Sequence, residues 1–557
     1  MEFLAEGFGR VAGLLALVSV AGAVALLLRQ PLVVAFLAAG VLAGPGVLGW
    51  TLHAEEVELL GELGIAILLF LVGLRLDVGV IRTMGPVALV CGVAQVAITT
   101  ALGFALGLLL GLQAKAAIYV GVATAFSSTI IIVKLLSDRR ELGSLHGQLA
   151  VGVLIVQDIV VIALLIVLAT MGPDASNGDA SLAWRMGRTL LIGIVGAGVL
   201  AIAMRYAIPA AMRHLARSTE LLLLASIAWA VGLAAGAKAL GLSEEVGAFV
   251  AGVSLASTPF REAIGSRLVP LRDFMLVFFF LDLGSGLRLD SLAGQIGPAL
   301  AISAFVLVGK PLIVMAVLGL AGYRKRTSFY AGMTLGQISE FSLILAALGV
   351  SIGHIDDQAI ALITLVGIIT IAMSTYGIVY IRKLYEPLAG ILSIFERSGP
   401  SREMGSATAT PLSPQVILIG LGRYGGRIGR QLLARDIEVF AVDFDPGAVR
   451  AWLEEGRAGQ YGDVTDPELC SSLPLHDAPL VVCSAPEPRT NIALFEALRE
   501  ASYTGTFVAT AHNHREARRL REVGIRVVLE PFANAADEAA DKLAELLAPA
   551  SAPSDRP

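Results

Sequence analysis

Residues 149–168 read Leu149-Ala-Val-Gly-Val-Leu-Ile-Val-Gln-Asp-Ile-Val-Val-Ile-Ala-Leu-Leu-Ile-Val-Leu168, an apolar run interrupted once, at Gln157-Asp158. A helix needs about 20 such residues to cross a bilayer. The run therefore puts a carboxylate near mid-membrane, where it costs roughly 3 kcal/mol or more unless protonated, paired or solvated. An acid kept there serves an ion or proton pathway, or else it only bonds to a neighbouring helix. The first reading is the one favoured here.

The whole chain agrees with a membrane setting. It has 557 residues, of which 56% are hydrophobic and 16% charged, and its mean hydropathy is +0.77. That balance belongs to polytopic membrane proteins. The formal net charge of −5 gives no basis for a nucleic-acid partner. Cys91, Cys470 and Cys483 are scattered and form neither a metal-ligand spacing nor a disulfide framework. The opening Met1-Glu2-Phe3-Leu4-Ala5-Glu6 lacks a cationic region, so the first apolar segment reads as an uncleaved helix.

Apolar segments fall near 8–28, 31–49, 59–76, 85–110, 115–137, 145–170, 187–207, 218–241, 243–257, 269–288, 295–320, 326–350 and 356–381, about 13 crossings. With the N-terminus outside, the inward loops carry Arg29, Arg75, Arg82, Arg139, Arg140, Arg205, Arg213 and Arg217. Further on they carry Arg261, Arg267, Arg272, Arg324, Lys325, Arg326, Arg382 and Lys383. The outward loops hold few cations and the acidic stretches Glu55-Glu56-Val57-Glu58 and Asp356-Asp357. Cations collect on the cytoplasmic side of membrane proteins. The expected topology is N-terminus outside and C-terminal domain cytoplasmic, in a prokaryotic inner (plasma) membrane.

Hydropathy collapses between about 393 and 415, and alternating strand and helix signals follow. The expected layout is a membrane domain over 1–388, a linker over 389–414, a Rossmann-like domain over 415–533, and a short helix with a disordered tail over 534–557. In the third part, the buried strand before Gly420, Gly422 and Gly425 has G-x-G-x-x-G spacing, and a helix pattern follows. Such glycines let the backbone approach a pyrophosphate at a helix N-terminus. Asp443 ends the next strand at the spacing of a ribose-binding acid, which favours NAD(H) or an adenine nucleotide over a 2′-phosphate. His476, His512 and His514 read as surface or loop histidines, and no catalytic constellation accompanies the motif.

The pairing of these two parts resembles the Kef-type, glutathione-regulated potassium-efflux-like branch of the monovalent cation:proton antiporters. The C-terminal part resembles their regulator-of-potassium-conductance (TrkA-N-like) domain. The carriers are Leu60-Gly-Glu-Leu-Gly-Ile-Ala-Ile-Leu-Leu-Phe-Leu-Val-Gly-Leu74, Ala125-Phe-Ser-Ser-Thr129, Gln157-Asp158, Gly241-Leu-Ser-Glu-Glu-Val-Gly-Ala-Phe-Val-Ala-Gly252 and Gly336-Gln-Ile-Ser-Glu-Phe341. To these the soluble part adds Gly420-Leu-Gly-Arg-Tyr-Gly425 and Tyr461-Gly-Asp-Val-Thr-Asp466.

The resemblance implies an inverted-repeat sodium/proton-antiporter-like fold, with two unwound helices crossing beside the ion site. Tyr119, Gly121 and Ser128 recur at one offset as Tyr330, Gly332 and Ser339, weak support from the sequence itself. The resemblance makes Asp158 the group shared by cation and proton, with Gln157 beside it. A carboxylate withdrawn from water needs one or the other. Thr124, Ser127, Ser128 and Thr129 supply oxygens to the ion or bond back to their own helix. Lys310, beside Pro311, pairs with an acid or neutralises half-helix ends, and Glu340 serves as counter-charge or in transport. Arg423, Tyr424 and Asp463 join the glycines and Asp443 at the nucleotide.

A single carboxylate beside a neutral amide suits potassium, which dehydrates more easily than sodium. Two departures from the family pattern stand out. Asp282 follows Val277-Phe-Phe-Phe-Leu281, either pairing with Arg288 or lining a water-filled path, and no acidic glutathione-gating loop is recognisable between Thr258 and Asp273. The expected protein is a homodimeric, non-enzymatic antiporter of potassium, or of sodium, against protons. It joins through both domains and is gated by a small nucleotide; the sequence says nothing of an ancillary subunit. A ligand-gated potassium channel is the main rival and lacks a Thr-Val-Gly-Tyr-Gly-type filter. A membrane-tethered dehydrogenase lacks catalytic groups.

Overall fold

The computed structural model describes residues 7–547 except 29, 46, 51–54, 76–84, 140, 170–217, 240–243, 257, 287–288, 398–413, 465–468 and 486. The expected span at 187–207 and the tail beyond 547 lie outside the described residues, as does Arg288. Two compact units form, a helical one of residues 1–139, 149–321 and 325–396, and a second that takes in the α/β part over 397–557 together with 140–148 and 322–324.

The helical unit contains α1 (Gly7–Leu27), α2 (Leu32–Ala43), α3 (Glu55–Arg75), α4 (Gly85–Leu109), α5 (Ala114–Ala125), α6 (Thr129–Asp138), α7 (Leu145–Ala169) and α8 (Thr219–Ala239). It continues with α9 (Glu244–Ala256), α10 (Arg261–Ser285), α11 (Leu289–Ala304), α12 (Lys310–Leu320), α13 (Lys325–Thr334), α14 (Glu340–Ser351), α15 (Asp357–Val379) and α16 (Ile381–Leu388). Among the described residues, 7 stretches are long and apolar enough to cross a membrane. Two of the expected spans are interrupted. The one at 115–137 is α5 and α6 separated by residues 126–128, and the one at 326–350 is α13 and α14 separated by residues 335–339. Serines restart both helices: Ser128 Oγ accepts from Ile131 N, and Ser339 Oγ accepts from Phe341 N.

The offset that relates Ser128 to Ser339 also superposes α5 on α13 and α6 on α14. It carries α4 onto the α11–α12 segment and α7 onto α15 as well. The repeat that the sequence only hinted at is therefore one of whole elements. One difference is local. Between α11 and α12, Phe305–Gly309 form a π-helical turn, and the Lys310 backbone N–H reaches Phe305 O. Pro311 brings no N–H of its own to the helix, and such turns mark places where a ladder admits an extra residue.

Close packing comes from glycines that let helix backbones touch, the device of membrane bundles. A Cβ on Gly121 of α5 would stand 2.6 Å from Thr100 O on α4. Its repeat partner Gly332 on α13 would meet Pro311 O on α12 at 2.7 Å. Gly73 on α3 and Gly252 on α9 each face the other helix's backbone, at Phe249 O and Phe70 O. The main apolar core gathers where α5, α7, α14 and α15 meet, around Tyr119, Phe126, Val161, Phe341 and Leu362.

The second unit is a six-stranded parallel sheet in the order β3-β2-β1-β4-β5-β6, with β1 (Val416–Ile419), β2 (Val439–Asp443), β3 (Gly459–Tyr461), β4 (Leu480–Cys483), β5 (Thr506–Thr510) and β6 (Val527–Leu529). All pairings are parallel, and β1 and β2 are buried at every position. Such strands read as continuous apolar runs because helices cover both faces. The strand order reverses between β1 and β4, and ligands of such folds bind beyond the strand ends at that point. Helix α17 (Arg423–Leu433) follows β1 directly. Cys483 is buried, and burial pushes its thiol up to about 12, so it stays protonated and unreactive.

The two glycine contacts make a paired prediction. Gly121→Val and Gly332→Val should each destabilise the helical unit by about 1–3 kcal/mol, the usual range for overpacking, and lower the melting temperature in detergent. Gly232, with no atom within 4 Å of an added Cβ, should accept alanine without loss. Equal melting temperatures for all three variants would contradict the packing described.

Candidate functional site

Each interruption frees helix ends, and the side chains around them are arranged by sign. The C-terminal ends of α5 and α13 carry the negative pole of the helix dipole. Lys310 is completely buried, and its Nζ donates to Phe126 O at 2.9 Å and to Gln337 O at 3.0 Å. These carbonyls follow α5 and α13 respectively, and they are related by the repeat offset. One ammonium thus joins equivalent points of the two breaks. Its bonds go to helix ends, not to a carboxylate.

The positive ends, at the starts of α6 and α14, face acids. Thr129, the first residue of α6, donates through Oγ1 to Asp158 Oδ2 at 3.0 Å. Glu340 is itself the first residue of α14, and its Oε1 accepts from Ser128 Oγ at 2.7 Å. Neighbouring residues 128 and 129 therefore hold the two carboxylates, each charge close enough to act on the other. Glu340 and Ser128 are buried, whereas Asp158 and Thr129 keep exposed surface. Arg272 on α10 is buried, ion-paired to Asp273 at 2.6 Å, and within electrostatic reach of Glu340. Asp158 is partly buried and bonded at the start of α6.

The remaining expected residues divide. Ser127 joins the breaks: its Oγ donates to Leu335 O at 2.9 Å, and its N–H donates to Gln157 Oε1 at 2.8 Å. Thr124 bonds back to its own helix, at Gly121 O, 2.7 Å away. Sequence reasoning missed Gln95, which accepts from Gln157 Nε2 at 2.7 Å. It also missed Ser342, which donates to Ala123 O at 2.8 Å, and Ser374, which donates to Gln337 Oε1 at 2.7 Å. A signal existed for Gln95, a lone amide within the apolar α4. Asp282 is exposed on α10, and the group acting on it is Glu58, another acid.

In the second unit the three motif glycines have different reasons. Gly420 takes a φ of +99°, a conformation that favours glycine. Side chains on Gly420 or Gly425 would collide with Ser484, whose Oγ donates to Gly420 O at 3.0 Å. Gly422 has no atom within 4 Å of an added Cβ, and it is exposed together with Arg423 and Tyr424. It is the open glycine, at the N-terminus of α17.

Asp443 is buried and ties the loop to β2. One oxygen accepts from Leu421 N and the other from Asp445 N at 2.8 Å. Burial raises this carboxyl above the usual range, against the pull of those N–H groups. Each oxygen retains acceptor capacity, so an open glycine, a helix N-terminus and a strand-end acid fit a nucleotide. Asp463 lies two residues beyond β3. His476, His512 and His514 are exposed.

Residues 13–381 match the family model of the sodium/hydrogen exchanger, transmembrane, and residues 416–531 match that of the TrkA-N domain. The chain belongs to the sodium/hydrogen exchanger family and carries a C-terminal TrkA-N domain. It is 29% identical over 526 residues, 93% of this chain and 94% of the relative, to the "Putative cation/proton antiporter YbaL" of Escherichia coli (strain K12). Among solved structures it is similar to the sodium proton antiporter MjNhaP1 from Methanocaldococcus jannaschii, at 17% identity, with 70% of this chain and 99% of that chain covered and a TM-score of 0.45. It is also similar to the TrkA-N domain of the inner membrane protein ybaL from Escherichia coli, at 23% identity, with 25% and 99% covered and a TM-score of 0.22. The class expected from sequence, a membrane-spanning cation/proton antiporter followed by a TrkA-N domain, is the class to which the two family models and the Escherichia coli relative point.

Removing one partner of a buried hydrogen bond leaves the other unsatisfied at a cost of about 1–3 kcal/mol, and Lys310 serves two buried carbonyls. Lys310→Gln should lower the melting temperature and shift the pH profile of exchange while leaving measurable transport. A complete loss of transport in well-folded protein would assign Lys310 an obligatory part in coupling.

Proposed function

We propose that this antiporter exchanges potassium for protons at Asp158, and that an adenine nucleotide bound to the TrkA-N domain gates the exchange. The observation that carries the reading is the unequal treatment of the two acids. Glu340 is buried beside Ser128 with Arg272 in electrostatic reach, while Asp158 is partly buried and bonded to Thr129 at a helix start. A carboxylate in that position is discharged either by a proton or by a cation. Cation entry displaces the proton to water, and the reverse step completes the exchange. Gln157 adds no charge beside Asp158, which suits the more weakly hydrated potassium over sodium.

The nucleotide, NAD(H), AMP or ATP, would lie across the switch point of the sheet. The loop Gly420–Gly425 and the N-terminus of α17 hold its phosphates, with Arg423 and Tyr424 exposed beside them. Asp443 takes a ribose hydroxyl, and Asp463 lies towards the base. The nucleotide supplies binding energy alone, and it shifts transport only as far as its affinity differs between the open and closed states. The protein works as a homodimer in a prokaryotic inner membrane, N-terminus outside and TrkA-N domain in the cytoplasm, as the distribution of Arg and Lys among the loops supports.

Asp158→Asn should abolish cation-dependent proton movement in proteoliposomes while expression and oligomeric state persist. Normal coupled exchange by that variant would remove Asp158 from the site, and faster exchange with sodium than with potassium in the native protein would reverse the ion preference. A charge-assisted bond to a ribose hydroxyl is worth about 1.5–3 kcal/mol. Asp443→Ala should therefore weaken nucleotide binding by about ten- to a hundredfold and leave ion selectivity intact. Titration calorimetry with NADH, ATP and AMP on the full-length protein measures this, and unchanged affinity would move the nucleotide elsewhere.

A further inference from the structure

We infer that Gln95 is a positioning residue for exchange: it locks the Gln157 amide onto the first break, so that Gln157 shapes the site without ligating the cation. The inference rests on the reading of Asp158 as the ion site.

Four bonds form one chain. Gln95 Nε2 donates to Ala125 O at 3.2 Å and to Thr99 Oγ1 at 3.1 Å. Gln95 Oε1 accepts from Gln157 Nε2 at 2.7 Å, and Gln157 Oε1 accepts from Ser127 N at 2.8 Å. Ala125 O and Ser127 N are backbone groups at the end of α5, where the helical partners run out. Two side-chain amides stand in for them.

The chemistry of the two ends orients the amides between them. Ala125 O can only accept, so Gln95 must present its NH2 group there and its oxygen to Gln157. Ser127 N–H can only donate, so Gln157 must present its oxygen there and its NH2 group to Gln95. Turning either amide over would set oxygen against oxygen or N–H against N–H. The Gln157 oxygen is the one atom of that side chain able to ligate a cation; it is aimed at the Ser127 backbone N–H, in a side chain that is 1% exposed.

Access agrees with orientation. Gln95 and Gln157 are each 1% exposed, whereas Asp158 is half-buried. Consecutive residues on a helix point about 100° apart, which separates the sealed amide from the open acid. The repeat gives a second view. Thr99, to which Gln95 also donates, aligns by the repeat offset with Lys310, which braces the other break at Gln337 O. The equivalent helices thus both send polar side chains to the breaks, Gln95 to Ala125 O and Lys310 to Phe126 O and Gln337 O.

The test uses full-length protein in proteoliposomes, with potassium as the substrate ion and Gln95→Met, Gln157→Met and the double variant compared. Both single variants should raise the apparent potassium KM at least about fivefold, the factor for one net hydrogen bond, and displace the pH profile in the same direction. The double variant should lie within about twofold of either single one, because one chain is broken in all three. Gln95→Glu supplies a milder change. Protonated, it copies the donor and acceptor of glutamine; ionised, it opposes Ala125 O. Its KM should approach the native value as pH falls and depart from it as pH rises.

A native KM and pH profile for Gln95→Met would overturn the inference. So would a larger effect of Gln157→Met that adds to that of Gln95→Met, the pattern of a direct ligand. If Gln95→Met does not fold, a ratio of the Gln95→Glu KM to the native KM that does not change with pH overturns it equally. Asp158→Asn in the same assay keeps the two ideas apart: transport by that variant removes the ion site itself, whatever the glutamines do.

Discussion

A helix interrupted inside a bilayer leaves backbone groups that no water satisfies, and this chain does so twice in one place. The Lys310 ammonium meets that constraint by bonding to the equivalent carbonyls Phe126 O and Gln337 O. A buried charge is normally a liability. Here it is set between two negative helix poles, and the ends it leaves over, the positive starts of α6 and α14, are free to hold acids.

The function of the site comes from where the two repeats differ. Thr129 and Glu340 occupy equivalent positions, but one is a hydroxyl that holds Asp158 and the other is itself a carboxylate. On the long partner helices, Asp158 of α7 has no acidic equivalent on α15. The result is two acids held differently, one by Thr129 and one by Ser128. A strictly symmetric pair would compete for a single proton. In the proposed reading Asp158 carries the exchange, while Glu340 is held by Ser128.

Much of this was legible in residue types. The acid in an apolar span, the glycine-rich turn after a strand and the serines that restart helices are local signals with local causes. Lys310 stood out because a cation within an apolar span has few excuses. What the sequence hid were the acceptors. Phe126 and Gln337 act through carbonyl oxygens that any residue would provide, and only the register of the two breaks shows that they are equivalent. Thr124 and Ser127 look alike in the motif, yet the one still inside α5 bonds backward and the one beyond it bonds across. Asp443 likewise matched a ribose-binding spacing, while its bonds to Leu421 N and Asp445 N depended on how the loop closes over the strand end.

The central claim is that cation and proton share one carboxylate. Potassium affinity of the purified protein, followed by binding as a function of pH, tests it most directly. Below the pH at which Asp158 is half-protonated, the apparent dissociation constant should approach a tenfold rise for each unit of acidification, one proton displaced per cation bound. Potassium affinity that stays constant as the protein takes up its protons would mean that the two ions occupy separate sites.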